Sequence, residues 1–344
     1  MLTSEEAQVA LTIYKLLRNA TSQEIVKDFL RSKQIPVSAS NWDDLYTRRI
    51  DPALQEGVIS VADLRTLLRD VEECGRQHTF LYRCTPDHAL ALLGSARLRA
   101  VLTDAGLLGL LSDPLDLELP ESPTIVDIRE IPADQYSGFP SLLIKVVETR
   151  TKKVFLHDLL DKEKKTFSKI YSYEEKRAVN IVRLYADGLL ELRIASQDNS
   201  TQYHDNVNAL FGIVSKIIPP GSFTEVLLGA AKNRLFNDRK NLVNEVRYSN
   251  STARNDFGYS MNLSCSSQDD NICDDSGSTA ALESFIEQDG QIIGTNIYLK
   301  INGTNPAREV HVLISGASHE FAVPASCSMG DYEYVRRQIF DLNH

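Results

Sequence analysis

The sequence lacks the features that assign a chain to a specialised class. Its five cysteines are odd in number and scattered, without a CxxC pair or the Cys and His spacing of a zinc finger. No apolar stretch approaches the ~18–20 residues that cross a bilayer, because the longest, from Ala105, is interrupted by Pro114. The first residues are acidic, so no secretory signal is expected. We therefore expect reduced thiols, no membrane contact and a cytoplasmic location.

Motifs for the common enzyme chemistries are missing too. The sequence contains no GxxxxGK[ST], GxGxxG, HExxH or GxSxG. The usual nucleotide, hydride-transfer, zinc-protease and serine-hydrolase reactions therefore have no recognisable site. The acidic loop at residues 269–275 lacks the alternating ligands and central glycine of a calcium loop. We expect no metal and no cofactor.

The net charge of −10 argues against a wholly cationic surface for nucleic acid. The charge is unevenly distributed. Residues 121–240 carry 18 Lys and Arg against 16 Asp and Glu, whereas both flanking segments are net acidic. An anionic partner would therefore be attracted only to the middle of the chain.

Helix caps mark the beginning of the chain. Thr3 and Glu6 form a capping-box pattern, and Thr85 precedes a proline at the first position of a helix. Apolar residues at helical spacing follow each cap, with one short strand expected at residues 78–84. The pattern predicts a small helical domain over residues 1–110.

This helical domain has two interpretations. Short helices followed by a strand resemble the layout of helix-turn-helix domains. Asp43, Asp44 and Asp51 would however lie on the reading helix, where phosphates repel them. A bundle that docks a protein partner fits the acidic balance equally well.

A second domain is predicted after an irregular segment rich in proline and acids, the linker at residues 111–123. From residue 124 to 344 the apolar pattern has period two, with several helices. The fold class is therefore α+β, with a mixed, mainly antiparallel sheet and packed helices in the second domain. A turn is expected near Thr151, and residues 158–169 are expected as a charged helix or solvated loop.

The stretch AVNIVRLYADGLLELRIAS, residues 178–196, predicts a hairpin. Asp187-Gly188 is typical of a two-residue type I′ turn. That turn would place Arg183 opposite Leu192. Glu191 would then lie on a half-solvated face of the sheet.

The same hairpin offers an alternative interpretation as a metal-dependent nuclease site. Asp187 and Glu191 would share a divalent cation, and Arg193 would steady the attacked phosphate. Charged pairs on an open sheet face are however routine, so the structural interpretation is favoured.

A basic stretch at residues 232–254 is the strongest candidate for nucleic-acid contact. Its cations stand among small polar residues and two aromatic ones, which suits phosphate contact and base stacking. The competing interpretation is a helix with a solvated charged face. The candidate nucleic-acid-binding residues are Lys232, Arg234, Arg239, Lys240, Arg247 and Arg254.

These observations favour a non-enzymatic binding or adaptor protein. It would contact a protein partner through the N-terminal helical domain and DNA or RNA through the basic stretch. By analogy, such a chain suits a subunit of a prokaryotic defence or regulatory complex. The alternatives are the divalent-metal-dependent nuclease and a purely structural protein-interaction subunit.

Overall fold

The computed structural model describes residues 2–133, 138–161, 164–197, 203–267, 269–300 and 308–343. The fold is α+β, as predicted, with N-terminal helices followed by a large antiparallel sheet and further helices. Within the described residues, no helix is long and apolar enough to cross a membrane.

The N-terminal helices form as their caps predict. The Thr3 hydroxyl accepts a hydrogen bond from the Glu6 amide, and the Glu6 carboxylate accepts one from the Thr3 amide. These helices enclose their own apolar core, and a helix-turn-helix arrangement within them stays a prediction. The helices are α1 (Ser4–Ala20), α2 (Gln23–Ser32), α3 (Trp42–Leu45), α4 (Asp51–Gln55) and α5 (Val61–Glu72), with a π-helical turn at Tyr46–Ile50 between α3 and α4.

One antiparallel sheet contains all the described strands. Their order is β2-β3-β4-β5-β1-β11-β10-β9-β7-β8, and the short β6 pairs with the end of β1. The strands are β1 (Gly75–Arg83), β2 (Thr124–Ile131), β3 (Ser141–Asp161), β4 (Thr166–Tyr185), β5 (Leu189–Ala195), β6 (Thr224–Glu225), β7 (Val246–Asn255), β8 (Ser260–Ser264), β9 (Gly290–Leu299), β10 (Val310–Ile314) and β11 (Glu320–Ser326).

Strand β1 lies in the middle of this sheet, although its residues belong to the predicted helical domain. It pairs with β5 on one side and with β11 on the other, so that Phe80 lies opposite both Leu192 and Glu320. The sheet therefore takes strands from both sides of the predicted linker. The division into domains at residues 111–123 stays a prediction.

Helices cover the two faces of the sheet. On the first face, α6, α7 and α8 pack over the aliphatic side chains of β3, β4 and β5. On the second face, α9 and α11 pack over β9, β10 and β11, and α10 covers an outer cluster beside β7. The bounds are α6 (Pro86–Leu93), α7 (Ser95–Asp104), α8 (His204–Val214), α9 (Gly229–Asn237), α10 (Ser276–Glu287) and α11 (Met329–Asn343).

The predicted register of the β4–β5 hairpin is wrong by one residue. Arg183 lies opposite Glu191, because the loop has three residues rather than two. The Gly188 amide donates to the Tyr185 carbonyl, and Gly188 has φ +94°, as in a three-residue loop that ends in a left-handed residue. A shift of one residue moves every side chain to the other face. The charged side chains consequently lie together on the second face.

The predicted turn near Thr151 is also wrong. Strand β3 continues past it, pairing Thr151 with Glu175, and the strands extend through most of the segment expected as a helix or loop. Strand β2 accompanies β3 only as far as Val147. Beyond that point β3 and β4 form a two-stranded extension, which we call the ribbon (residues 150–161 and 166–176).

Candidate functional site

Charged side chains are concentrated between the second face of the sheet and helix α11. Glu191 and Arg193 of β5 are 0% exposed, and Glu333 of α11 is 1% exposed. The hairpin register puts the β5 pair on this face, and α11 then covers it. Such side chains are almost never fully buried unless they are paired.

Glu191 has partners for both carboxylate oxygens. Arg193 donates to Oε2 from Nη2 at 2.6 Å and from Nε at 2.9 Å, and Tyr332 donates to the same oxygen at 3.3 Å. Tyr185 donates to Oε1 at 3.2 Å. Burial alone would raise the pKa of Glu191, but the positive charges of Arg193, Arg336 and Arg183 lower it below its ordinary value. Glu191 is therefore an ionised structural carboxylate.

Glu333 connects α11 to the sheet in the same way. Its Oε1 lies 2.6 Å from Nη1 of Arg183, and its Oε2 lies 2.7 Å from Nη2 of Arg336. The two guanidinium groups lie 4.6 and 4.9 Å from the centre of the Tyr185 ring. Positive charge is therefore packed against aromatic faces and balanced by carboxylates.

A second charged group lies where α5 ends. Glu72 pairs with Lys145 at 2.7 Å and with Arg177, while Glu73 pairs with Arg129 at 2.5 Å. Burial would raise the pKa of Glu72, but Lys145 and Arg177 lower it. These pairs fix the last helix of the N-terminal group to the sheet.

The residues of the nuclease alternative are only partly brought together. Glu191 and Arg193 lie side by side, but they are buried and pair with each other. Asp187 lies in the loop, where its Oδ1 accepts from the Leu189 amide and its Oδ2 is 3.7 Å from Arg83. Across the described ranges, no group of three His, Cys, Asp or Glu side chains is placed to hold a metal ion.

Two of the six predicted nucleic-acid-binding cations are interior side chains. Lys232 is 5% exposed and donates to the Ile293 carbonyl at 2.8 Å; burial lowers its pKa. Arg239 is 8% exposed, pairs with Glu283, and lies 4.4 Å from the Phe236 ring centre. Neither charge is presented to a phosphate.

The other four cations lie nearer the surface. Arg234 is 3.4 Å from Asp238, and Arg247 pairs with Glu309 at 2.6 Å while packing on a tyrosine ring. Lys240 and Arg254 are exposed. Nucleic-acid contact by these four stays a prediction.

Within the part of the chain that the structure describes, the ribbon is the largest group of exposed apolar side chains, and the sequence interpretation missed it. Seven of its large apolar side chains are between 37% and 70% exposed. The pairing of β3 with β4 puts five of them on one side, and Leu156 adjoins them in the bulge between Phe155 and His157. We call this side the ribbon face; its residues are Phe155, Leu156, Leu160, Phe167, Tyr171 and Tyr173.

Contacts within the ribbon face arrange it as an apolar surface bordered by cations. The rings of Phe155 and Tyr171 meet edge to face at 5.7 Å between centroids. The Lys153 ammonium lies 4.0 Å from the Tyr171 ring centre, and the Lys169 ammonium lies 6.0 Å from that of Phe155. Large contiguous apolar patches on a folded chain mark interaction sites.

The chain matches no protein-family model, and its sequence has no significant similarity to a curated protein.

Proposed function

We propose that this protein is a non-enzymatic binding or adaptor subunit whose main docking surface is the ribbon face. Its task is to hold a protein partner within an assembly. The contact through the N-terminal helices predicted from the sequence becomes secondary. Among the described residues of α1 to α5 and their loops, only Ile25 and Val58 are exposed large apolar side chains.

The observation that carries the proposal is the exposure of the ribbon. A two-stranded ribbon is at best marginally stable by itself in water. This one extends beyond the third strand on either side and exposes aromatic and aliphatic side chains. A partner that covers these side chains would remove apolar surface from water and stabilise the ribbon, at about 25 cal/mol per Å² of apolar surface.

Site-specific photo-crosslinking in the cells that express the protein tests this proposal. A benzophenone amino acid is placed at Tyr173, which is 70% exposed on the ribbon face, or at Tyr259, which is 72% exposed beside β8. Because the two side chains are equally accessible, they differ mainly in the surface on which they lie. We expect abundant protein adducts from position 173 and few from position 259. Equal adduct yields at both positions would contradict a docking role for the ribbon face.

Nucleic-acid binding is a second candidate, favoured by the hairpin of β7 and β8. Phe257 is 85% exposed and Tyr259 is 72% exposed, and Arg254 lies in the adjoining strand. Exposed aromatic rings beside cations can stack on unpaired bases. This surface uses one of the cations predicted from the basic stretch.

Salt dependence tests the second candidate. Binding to single-stranded DNA or RNA should weaken with salt by a slope of about 0.7 per phosphate contact. The variant Arg254→Glu should strongly weaken the binding, whereas Lys15→Glu on α1 should leave it unchanged. Binding that changes neither with salt nor in the Arg254 variant would contradict this candidate.

A further inference from the structure

We propose that the occupant of the ribbon face is a second copy of this chain. Two copies would form a symmetric dimer in which each ribbon face packs against the base of the other ribbon. The inference rests on the proposed docking role of the ribbon. Beyond that role, the inference specifies which partner binds and which surface of that partner contacts the ribbon.

The receiving surface is the acidic segment, residues 113–121. It contains four Asp and Glu and no Lys or Arg. Asp116 pairs with Arg65 at 2.9 Å and Asp113 lies 3.7 Å from the same guanidinium, while Glu118 and Glu121 are exposed. Leu115 and Leu119 within it are 45% and 44% exposed. The segment therefore offers exposed leucines among carboxylates, which complements aromatic and aliphatic side chains among lysines.

Side chains at the base of the ribbon hold the acidic segment in place. Thr149 and Arg177 lie opposite each other where the ribbon leaves the sheet. The Thr149 hydroxyl donates to the Pro120 carbonyl at 2.7 Å, and Arg177 Nε donates to the Leu117 carbonyl at 2.8 Å. By strand alternation, positions 149, 151, 153 and 155 share one face. The acidic segment thus lies at the base of the same face that carries the ribbon's apolar side chains.

Positive charge at the tip of the ribbon and negative charge at its base are arranged as the proposed dimer requires. The segment 150–176 carries eight Lys and Arg against five Asp and Glu, within a chain of net charge −10. Lys164 and Lys165 are at the tip of the ribbon, and the acidic segment is at its base. Two ribbons that pack face to face in opposite directions bring each basic tip to the acidic base of the other copy. Such an isologous contact closes on itself and leaves no unpaired site.

The available area suits a stable dimer. At roughly 150–250 Å² for a complete large side chain, six side chains that are about half exposed present on the order of 450–750 Å². The exposed leucines of the acidic segment add to this. The total exposed area approaches what a standard stable interface buries, which is about 800 Å² per partner.

The distribution of charge on the ribbon favours a protein over a lipid surface. A hairpin that inserts into a bilayer presents apolar side chains at its tip. Here the sequence between Leu160 and Phe167 is DKEKKT, with charged residues at the tip and apolar ones along the side. The ribbon face is therefore suited to lying side-on against another folded surface.

Analytical ultracentrifugation of the full chain tests the proposal. We expect a dimer, with twice the 38.5 kDa mass of the chain, at micromolar concentration. The variant Leu160→Ser, Phe167→Ser should raise the dimer Kd by about a hundredfold or more, as loss of well-packed apolar anchors does. Leu90→Ser, at a 54% exposed position on α6, is the matched control and should not change it.

Charge reversal provides a second measurement. Lys164→Glu, Lys165→Glu should weaken the dimer, as should Glu118→Lys, Glu121→Lys, and mixing the two variants should restore association. In a mixture of ¹⁴N- and ¹⁵N-labelled protein, zero-length carbodiimide crosslinks between the tip lysines and the acidic segment should join peptides of different isotope composition.

Several results would overturn this inference. One is a chain that stays monomeric at about 100 μM, at least tenfold above the micromolar range expected. Another is a dimer whose Kd does not change in the ribbon variant. A third is crosslinks that form only within single copies. A monomer whose position 173 still crosslinks to a different protein would remove the second copy and leave the binding-subunit proposal standing. A monomer that sediments with phosphatidylserine vesicles but not with phosphatidylcholine vesicles would replace the second copy with a lipid surface. Loss of all adducts at position 173 would defeat the proposed function itself.

Discussion

Glu191 shows how a single side chain can be identified from sequence and yet be given the wrong environment. It was expected on a half-solvated sheet face, but it is fully buried beneath α11. The local pattern of alternating residues was correct. Its assignment to a face depended on the Gly188 loop, whose backbone packs against Cys84, and this contact is not encoded near Glu191 in the sequence. Caps such as Thr3 were predictable because donor and acceptor are three residues apart.

We predict that Glu191→Gln lowers the free energy of unfolding by about 3–5 kcal/mol, because Arg193 would keep its buried charge without a carboxylate. Chemical denaturation monitored by circular dichroism measures the loss. Glu24→Gln is the control, since Glu24 forms an exposed pair with Arg31 at 2.7 Å. That pair should contribute less than about 1 kcal/mol. Similar losses in both variants would contradict a structural role for the buried pair.

His311 predicts a pH dependence of stability. Burial, followed by the charge of Arg247, lowers the pKa of His311, whose ring stacks on Tyr298 at 4.4 Å between centroids. The unfolded chain therefore binds the proton more readily than the folded chain. The stabilisation is complete above the unfolded pKa of about 6.5 and is lost as the pH falls through this value towards the folded pKa.

We expect the free energy of unfolding to decrease between about pH 7.5 and 5.5, a window chosen around the ordinary histidine pKa. Denaturation curves at several pH values measure it. The variant His311→Gln should reduce this dependence, because glutamine cannot be protonated there. An unchanged pH profile in the variant would show that other groups are responsible.

Among the elements, the β4–β5 hairpin is defined by one glycine. A Cβ atom on Gly188 would lie 2.2 Å from the Cys84 carbonyl oxygen, which belongs to the backbone at the end of β1. Gly106 has a similar φ, +71°, with nothing within 4 Å of its Cβ position. Both glycines therefore have a left-handed backbone conformation, and of the two only Gly188 also lacks space for a Cβ atom.

We predict that Gly106→Ala costs about 1–2 kcal/mol, the cost of left-handed backbone for a residue with a Cβ. Gly188→Ala should cost at least about 3 kcal/mol, since the close approach adds to that strain. Thermal unfolding of the two variants compares them directly. Equal costs would mean that β1 and the hairpin loop can separate without loss.

The ribbon shows why some elements escape prediction. Phe167, Tyr171 and Tyr173 follow the period of a strand, but the neighbouring run of lysines and acids indicates a helix or solvated loop. Strand pairing overrides that preference, because the backbone groups that each strand directs at the other are paired along the whole ribbon. The sequence therefore contained the alternating apolar residues of the candidate docking surface, but the charged residues among them indicated a helix or loop instead.

For the whole molecule, the position of β1 decides how the two parts of the chain are related. The sequence predicted a helical domain, a linker and a sheet domain, and the helices and the sheet are both present. The local pattern of residues 78–84 predicted a strand, and the structure has it at Gly75–Arg83. It could not indicate that the partners of this strand are β5 and β11, because strand order is a property of the complete chain.

We predict that cutting the chain between its two parts does not separate them. A protease site is inserted between Ser122 and Pro123, which are both exposed, and the purified protein is cleaved. The fragments should elute together in size-exclusion chromatography, because β1 pairs on both sides with strands of the second fragment. They should separate in denaturant. Separation without denaturant would support two independent domains.

The central position of β1 also has a consequence for synthesis on the ribosome. Helices α1 to α5 enclose their own core and can form as soon as they emerge. Strand β1 emerges next, but one neighbour, β5, ends at Ala195, and the other, β11, ends only at Ser326. Strands joined over such separations form slowly and expose unpaired edges meanwhile. The nascent protein must therefore expose an unpaired edge of β1 until residue 326 has been translated.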